Sequence, residues 1–468
     1  MKIKRYIKIF VLFFLIFGNI CVFYQPYSME DLLLKTNYEH SRIEKRYVDR
    51  NTSIALEKRL FPDKKIQYWD DRMFGEQQIP YHINQYKNYT PEKKLTTKQL
   101  QEDIDYLFNA FYDCYGAYEY FGGDEKFSIA KNEILTEIQK KQIKTAEELE
   151  KVLIKHLNFI KDAHFKINGK YTNLIQIPFF FREVDFQKTE YGYQTKSGKQ
   201  VESVEGYKNL DELFRLSISS EGELVYYPIL LKEKDFYNSL EMPQICDETL
   251  IIHYTNGEIQ KLEAEPYQIY ISDKWMGERK PVFIDESQFY PVLQINSFDK
   301  NCISSIFGAV TLKKNKVSIL DLRSNSGGYN MGKEWISKYA GEDVEGNGYL
   351  LSPFKKDIAE KKDRYVDNNN LLIILVGKYT ASASEVLLDC AYNLENVLIV
   401  GENTFGAILG DSSEICLPNS LCHVDIGTGT LYLTPENEYF KEFRGFFPDI
   451  WVPSKEAEEL IFKFMYKQ

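Results

Sequence analysis

The sequence is poor in the patterns that bind metal ions and nucleic acids. Its 468 residues include 6 His and 7 Cys. The histidines are scattered, and no two cysteines have the Cys-x-x-Cys spacing of a zinc site. The formal charge is −11, and the first 28 residues hold four basic side chains and no acid, so the remainder is more acidic still. These features argue against a metal site, a nucleic-acid partner and an anionic membrane surface, and they imply no cofactor.

Long apolar runs are also scarce, and the longest follows the basic start Met-Lys-Ile-Lys-Arg. It extends from Ile9 to about Phe23, which is short for a membrane span, and no small-x-small cleavage site is evident. Residues 1–28 therefore predict export, as either a cleaved signal peptide or an uncleaved N-terminal anchor. We expect the protein in the cell envelope or outside the cell, with membrane contact limited to that anchor. Among the cysteines, Cys416 and Cys422 bracket a turn-rich stretch and allow a local disulfide.

The pattern of apolar residues predicts an α/β protein with a helical part and a β-rich part before its core. Residues 29–95 are polar with weak periodicity, and we assign this extension no function. Apolar residues at helical spacing predict a small helical bundle over residues 96–168. Alternating strands and turns predict a β-rich segment over 169–289, and alternating strands and helices predict an α/β core over 290–468. The predicted strands of the β-rich segment are 175–181, 226–231, 250–254 and 267–271.

Two short stretches of the predicted core carry most of the functional information. Residues 321–328, Asp-Leu-Arg-Ser-Asn-Ser-Gly-Gly, follow the apolar run 317–320, and residues 380–385, Thr-Ala-Ser-Ala-Ser-Glu, follow the apolar run 371–376. Each motif would lie where a buried strand enters a tight turn, which is a frequent place for catalytic groups. A serine at a strand-to-helix turn beside a Gly-Gly loop supplies a nucleophile and oxyanion donors together. This combination indicates a serine hydrolase, and we interpret it as a peptidase.

A serine hydroxyl needs a base, and the chain contains no lysine from residue 379 through residue 440. His164 lies where the helical pattern gives way to a strand-like run, so its side chain can project into a cleft between two units. Most isolated histidines serve structural roles, and it is the position of His164 that favours a catalytic one.

The succession of motifs resembles the serine peptidases of the C-terminal processing and tricorn-core type. The shared features run from about residue 95 to Pro453: an Asp-x-His after the helices, the Gly-Gly loop, the Ala-Ser-Ala-Ser-Glu turn and Gly-Glu-Asn-Thr-Phe-Gly at 401–406. The resemblance implies a crotonase-like core of ββα repeats with a helical bundle and a β-rich insert. It also implies that Ser382 is the nucleophile, and that the oxyanion binds to the amide of Ala383 and one from Gly327 or Gly328.

Within this family, the resemblance is to the tricorn-like branch with a histidine base. The C-terminal processing branch has its catalytic lysine directly after the Gly-Glu-x-Thr-x-Gly element, where this sequence has Ala407. The tricorn-type branch implies His164 as the base and Glu442, shortly before Gly-Phe-Phe-Pro-Asp, as a member of its network. Ala163 departs from tricorn, which has a serine next to its histidine.

We therefore expect an exported serine endopeptidase that hydrolyses peptide bonds of protein or peptide substrates. Because a protonated imidazole cannot accept the serine proton, activity should fall in acid. Two structural roles are also compatible with these residues. Ser382 and Glu385 match a capping box at the start of a helix, and Glu442 could be a charged side chain in solvent. The alternative function is a catalytically inactive peptide- or lipid-binding protein on the same scaffold.

Overall fold

The computed structural model describes residues 28–43, 88–241, 247–273, 280–286, 290–308, 316–351, 365–427, 431–434 and 440–467. The predicted export signal, apart from its last residue, and most of the predicted polar extension lie outside these residues. In the part of the chain that is described, no helix is long and apolar enough to cross a membrane.

The fold is mixed α/β. Its α-helices are α1 Met29–Ser41, α2 Thr97–Cys114, α3 Gly123–Lys141, α4 Ala146–His156, α5 Leu210–Leu213, α6 Phe236–Glu241, α7 Ile303–Gly308, α8 Gly332–Ala340, α9 Ala383–Ala391 and α10 Ala457–Lys467. The first ten strands are β1 Lys166–Ile167, β2 Lys170–Tyr171, β3 Ile175–Phe180, β4 Phe186–Thr189, β5 Gly192–Thr195, β6 Val201–Val204, β7 Phe214–Ile218, β8 Leu224–Lys234, β9 Thr249–Tyr254 and β10 Ile259–Glu263. The others are β11 Val282–Asp285, β12 Val292–Ile295, β13 Val317–Asp321, β14 Tyr349–Leu351, β15 Leu371–Val376, β16 Val397–Gly401, β17 Ser413–Cys416, β18 His423–Ile426, β19 Leu431–Leu433 and β20 Ile450–Trp451.

The central sheet has the order β11-β12-β13-β15-β16-β20 and is parallel from β12 to β20. All six residues of β15 are buried, as expected for a strand covered on both faces. Helices α8 and α9 pack on one face, and α10 with the β-rich segment packs on the other. Because β13 and β15 are parallel neighbours, the loops after their carboxyl ends leave the sheet side by side. The strands predicted at 317–320 and 371–376 are confirmed.

Helices α2, α3 and α4 pack against a small antiparallel sheet of order β17-β18-β1-β2. Thr145 begins α4 with a capping box that includes Glu148, which explains why the helix starts there. The last turn of α4 leads into residues 157–165 and then into β1. This arrangement brings a segment from the first half of the chain onto the carboxyl-end edge of the central sheet.

The β-rich segment forms two sheets, β3-β8-β4-β5 with β7 also paired to β8, and β10-β9-β6. Three of its four predicted strands match β3, β8 and β9. The fourth prediction, at 267–271, is wrong because these residues do not form a strand. Tyr267 and Ile269 are buried, which gives the alternation of a strand, but they fill the space beside the central sheet.

Helix α1 lies in the segment that we predicted as a polar extension. Leu32, Thr36 and His40 are buried at a spacing of four residues, so one face of the helix is docked. The His40 Nε2 atom lies 2.8 Å from Asp449 Oδ1, and the imidazole packs edge-on against Tyr392. Helix α1 is thus bound to the C-terminal part of the described chain through His40.

The cysteines of the predicted local disulfide lie in the hairpin of β17 and β18. The hairpin forms as its turn-rich sequence predicts, with Cys416 opposite His423. Cys416 and Cys422 are nevertheless not joined by a disulfide. The Cys422 sulfur instead lies 3.9 Å from the carbonyl oxygen of Ala146, inside the core under the helices.

Candidate active site

Ser382 lies at the turn between β15 and α9. Its φ of 57° and ψ of −118° place it in a region that residues with a Cβ rarely adopt, and such strain is common at functional turns. Glu385 holds this conformation because its carboxylate accepts a hydrogen bond of 3.0 Å from the Ser382 amide. In a capping box, the side chain at the third helical position accepts a bond from the N-cap amide, and Glu385 does so here. Ser382 can therefore be both the N-cap of α9 and a catalytic residue.

His164 lies in the segment between α4 and β1, 218 residues before Ser382 in the chain. The structure places its Nε2 atom 3.1 Å from Ser382 Oγ, which is hydrogen-bond distance. The two residues that the sequence predicted as base and nucleophile are therefore in contact.

Asp162 is a buried carboxylate beside the imidazole to which sequence analysis gave no role. Its Oδ1 atom accepts a hydrogen bond of 2.9 Å from the His164 amide and lies 3.5 Å from the His164 Nδ1 atom. Its Oδ2 atom accepts a bond of 2.9 Å from the Tyr115 hydroxyl. Within the described residues, His164 Nδ1 is buried and makes no hydrogen bond. A small approach of His164 Nδ1 to Asp162 Oδ1 would complete a hydrogen-bonded serine–histidine–aspartate triad.

Glu442, the third residue that we predicted as catalytic, contacts main chain and not the imidazole. One carboxylate oxygen accepts bonds from the amides of Ile408 (2.9 Å) and Leu409 (2.8 Å), and the other accepts a bond of 3.2 Å from the Ala163 amide. Burial and the nearby Asp162 carboxylate raise the pKa of Glu442 well above its usual range. These bonds hold the residue before His164 against the 404–409 loop.

The Gly-Gly loop lies against the serine turn. A Cβ at position 327 would be 2.7 Å from the Ser382 Cβ, so only glycine allows this approach. The Gly327 amide donates to the Asn325 side chain at 2.9 Å and is already occupied. Within the described part of the chain, the amides of Gly328 and Ala383 donate no hydrogen bond. Of the predicted oxyanion donors, these two are available to a ligand.

Glu385 is completely buried and accepts four hydrogen bonds. In addition to the Ser382 amide, its donors are the Thr404 hydroxyl, the Gly406 amide at 2.8 Å and the Ala407 amide at 2.7 Å. Burial raises the pKa of Glu385 above its usual value. The carboxylate therefore ties the nucleophile turn to the 404–409 loop.

The described residues include no group of three or more His, Cys, Asp or Glu side chains placed to hold a metal ion. The site instead combines a hydroxyl, an imidazole, a buried carboxylate and two unpaired amides. This set is the one that acyl transfer through a serine requires, and it defines the class of a serine hydrolase.

Comparison with known proteins agrees with this class. Residues 290–452 match the model of Peptidase family S41. This match supports the S41 family of serine peptidases over the predicted core, which holds Ser382, the Gly-Gly loop and Glu442.

The chain is also similar to a curated peptidase. The chain is 32% identical over 129 residues to carboxyl-terminal-processing peptidase 2, chloroplastic, of Arabidopsis thaliana. The alignment covers 24% of this chain and 23% of the relative, so the chain spans about a quarter of the length of the curated relative that it matches.

Solved structures of similar proteins include the photosystem II D1 C-terminal processing protease and the tricorn protease. The first has 15% identity and a TM-score of 0.36, and the match covers 78% of this chain and 97% of that one. The second has 13% identity and a TM-score of 0.35, and it covers 80% of this chain and 35% of that one.

Proposed function

We propose that the chain is an exported serine endopeptidase that hydrolyses peptide bonds, with Ser382 as nucleophile and His164 as general base. The observation that carries the proposal is the 3.1 Å contact between His164 Nε2 and Ser382 Oγ. Two residues so far apart in sequence meet here at a strained turn beside unpaired amides. The match of residues 290–452 to peptidase family S41 supports the same activity.

In the acylation step, Ser382 Oγ attacks the carbonyl carbon of the scissile peptide and transfers its proton to His164 Nε2. The carbonyl oxygen becomes an oxyanion, and the amides of Gly328 and Ala383 donate hydrogen bonds to it. When the C–N bond breaks, the imidazolium returns the proton to the leaving amine. Water then attacks the acyl-enzyme with the same proton transfers, which releases the acid and restores the serine.

Asp162 is the residue that we propose to orient the imidazole. A hydrogen bond from His164 Nδ1–H to Asp162 Oδ1 would keep the proton on Nδ1 and leave the Nε2 lone pair for Ser382. The observed 3.5 Å separation is loose, as is common in sites without substrate. Tyr115 and the His164 amide hold the carboxylate in place for this closure.

Glu442 has a positioning role in this proposal. Its carboxylate joins the Ala163 amide to the 404–409 loop and so fixes the main chain that carries His164. Tricorn-like peptidases have a serine at the position of Ala163, and in this chain the main-chain amide of Ala163 binds Glu442. The branch with a histidine base is thus supported by His164 and by the alanine at position 407.

An active-site serine probe tests the proposal directly. We expect a fluorophosphonate to label the purified protein at Ser382, and peptide hydrolysis to fall by about 10³-fold or more in Ser382→Ala and His164→Ala variants. Ser203→Ala and His253→Ala, which change a serine and a histidine of the β-rich segment, should keep the wild-type rate.

Full hydrolysis by Ser382→Ala or His164→Ala would end the assignment. The alternative, an inactive binding protein on the same scaffold, predicts tight binding of a peptide or lipid with no label at Ser382. The contact between hydroxyl and imidazole does not favour this alternative, because a binding role requires no such pair.

A further inference from the structure

Lys378 is a buried lysine that takes no part in the proposed chemistry. It follows β15, four residues before Ser382, and it is 1% exposed. Its Nζ atom donates to three main-chain carbonyl oxygens, those of Thr404, Phe405 (3.3 Å) and Arg444 (3.1 Å). Among the described residues, these carbonyls are the hydrogen-bond partners of the amino group. Such a set is unusual, because lysines inside proteins normally pair with a carboxylate.

The number of acceptors indicates which form of the amino group fits the site. An ammonium has three N–H donors, whereas a neutral amine has two, so three carbonyls match the charged form. Burial opposes this charge and lowers the pKa of Lys378 to about 7. The charged groups that face it are Glu385 of α9 and Glu402 after β16, which favour the ammonium, and Arg444, which opposes it.

The segment that Lys378 holds is the 404–409 loop, which connects both halves of the proposed catalytic pair. Amides of Gly406 and Ala407 bind Glu385, whose carboxylate also binds the Ser382 amide. Amides of Ile408 and Leu409 bind Glu442, whose carboxylate also binds the amide before His164. The amides of the loop therefore face two carboxylates, while two carbonyls at its start face the lysine.

We infer that Lys378 is a positioning residue that, as an ammonium, holds the 404–409 loop and thereby sets the separation of Ser382 and His164. The inference rests on the proposed function. Loss of one N–H donor of Lys378 would leave one of these carbonyls without its hydrogen bond and let the start of the loop relax. Small displacements of catalytic groups have large effects on rate. We expect the loss of these hydrogen bonds to lower kcat and not to change KM, because Lys378 lies under the loop and does not contact the substrate.

Two measurements on the full-length protein test this role. Lys378→Met keeps the length of the side chain but donates nothing, and Lys98→Met, which changes a lysine with 87% of its side chain exposed, is the matched control. We expect Lys378→Met to lower kcat and the rate of fluorophosphonate labelling by about 10-fold or more, with KM little changed. Lys98→Met should behave as the wild type.

The pH dependence separates positioning from simple support of the fold. The labelling rate of the wild type should decline as the pH rises from 7 to 9, because the ammonium loses a proton and one of its three donors. Lys378→Met should show no such decline. Lys378→Gln, which donates two hydrogen bonds without charge, should fall between the two proteins in rate and also show no decline.

The outcomes distinguish this inference from the proposed function. If the wild type is not labelled at Ser382, the proposed function fails and this role falls with it. If the wild type is labelled normally but a folded Lys378→Met has the wild-type rate and pH profile, only the role of Lys378 is overturned. If neither variant folds, a wild-type labelling rate that stays constant from pH 7 to 9 overturns it, and a decline supports it.

Discussion

Asp162 is the residue whose proposed role can be tested most directly. In an Asp162→Asn variant, the side chain keeps its shape and can still bond Tyr115 and the His164 amide, but it cannot stabilise an imidazolium by charge. We expect kcat for peptide hydrolysis to fall by about 10²- to 10⁴-fold with little change in KM. Tyr115→Phe, which keeps the carboxylate, should cost less than about tenfold. Equal activity of Asp162→Asn and wild type would exclude a catalytic contribution from this carboxylate.

The individual site residues differ in how far the sequence could predict them. The sequence predicts Ser382 from a strand-to-helix turn beside the Gly-Gly loop and from the family resemblance. It predicts His164 from its position between the helices and a strand and from the same resemblance. The sequence does not predict a role for Asp162. The acid is visible two residues before His164 in Asp-Ala-His, but nothing in the sequence shows that its side chain turns back toward the imidazole. Glu442 was predicted as part of the site, but its bonds to main-chain amides depend on a loop that is distant in sequence.

Helix α1 offers a prediction at the scale of a single element. Leu32 is fully buried, whereas Leu34, on the same helix, is 52% exposed. We expect Leu32→Ala to lower the free energy of unfolding by about 2–5 kcal/mol, and Leu34→Ala to change it by less than about 1 kcal/mol. Urea denaturation of both variants measures the difference. Similar small effects at both positions would mean that α1 is not docked on the core in solution.

The elements that the sequence predicted well are those with an unambiguous pattern. The continuous apolar runs of β13 and β15 are typical of strands buried on both faces, and the spacing in residues 96–157 is clearly helical. Helix α1 escaped detection because its docked face includes a threonine and a histidine, which a count of apolar residues does not register. The prediction of a strand at 267–271 is wrong because burial can alternate without a continuous ladder of hydrogen bonds to a second strand. The Ile269 amide instead donates to the Ser239 carbonyl of helix α6.

The dependence of folding stability on pH is a property of the whole molecule. Substitution of Glu442 tests the contribution of one buried carboxyl group to it. Because the pKa of Glu442 is raised in the folded protein above its usual value of about 4.5, its contribution to stability is present below that value and is lost as the pH rises through the folded pKa. We expect the decrease in unfolding temperature from pH 5 to pH 8 to be smaller in Glu442→Gln than in the wild type.

The exposed Glu202 supplies the control for this measurement. Glu202→Gln removes the same carboxyl group from a solvated position and should leave the decrease unchanged. An identical pH dependence in Glu442→Gln and wild type would show that the Glu442 carboxyl has no raised pKa in the folded state.

For the whole molecule, the sequence indicated an α/β protein but not how its parts meet. The parallel order of the core strands follows from their alternation with helices, since that pattern leaves few other arrangements. The docking of α1 near β16 and the bond between the Ala163 amide and Glu442 join residues hundreds of positions apart. The bonds from amides of the 404–409 loop to Glu385 and Glu442 join residues 21 to 34 positions apart. No local pattern encodes such contacts.

The 218 residues that separate His164 from Ser382 also order events during synthesis. The imidazole leaves the ribosome first, the hydroxyl much later, and the Glu442 carboxylate that secures the loop between them later again. A nascent chain therefore cannot bring the imidazole and the hydroxyl together until the 218 positions between them have been translated. The proposed catalytic pair therefore assembles only after the helical bundle and the β-rich segment have been translated.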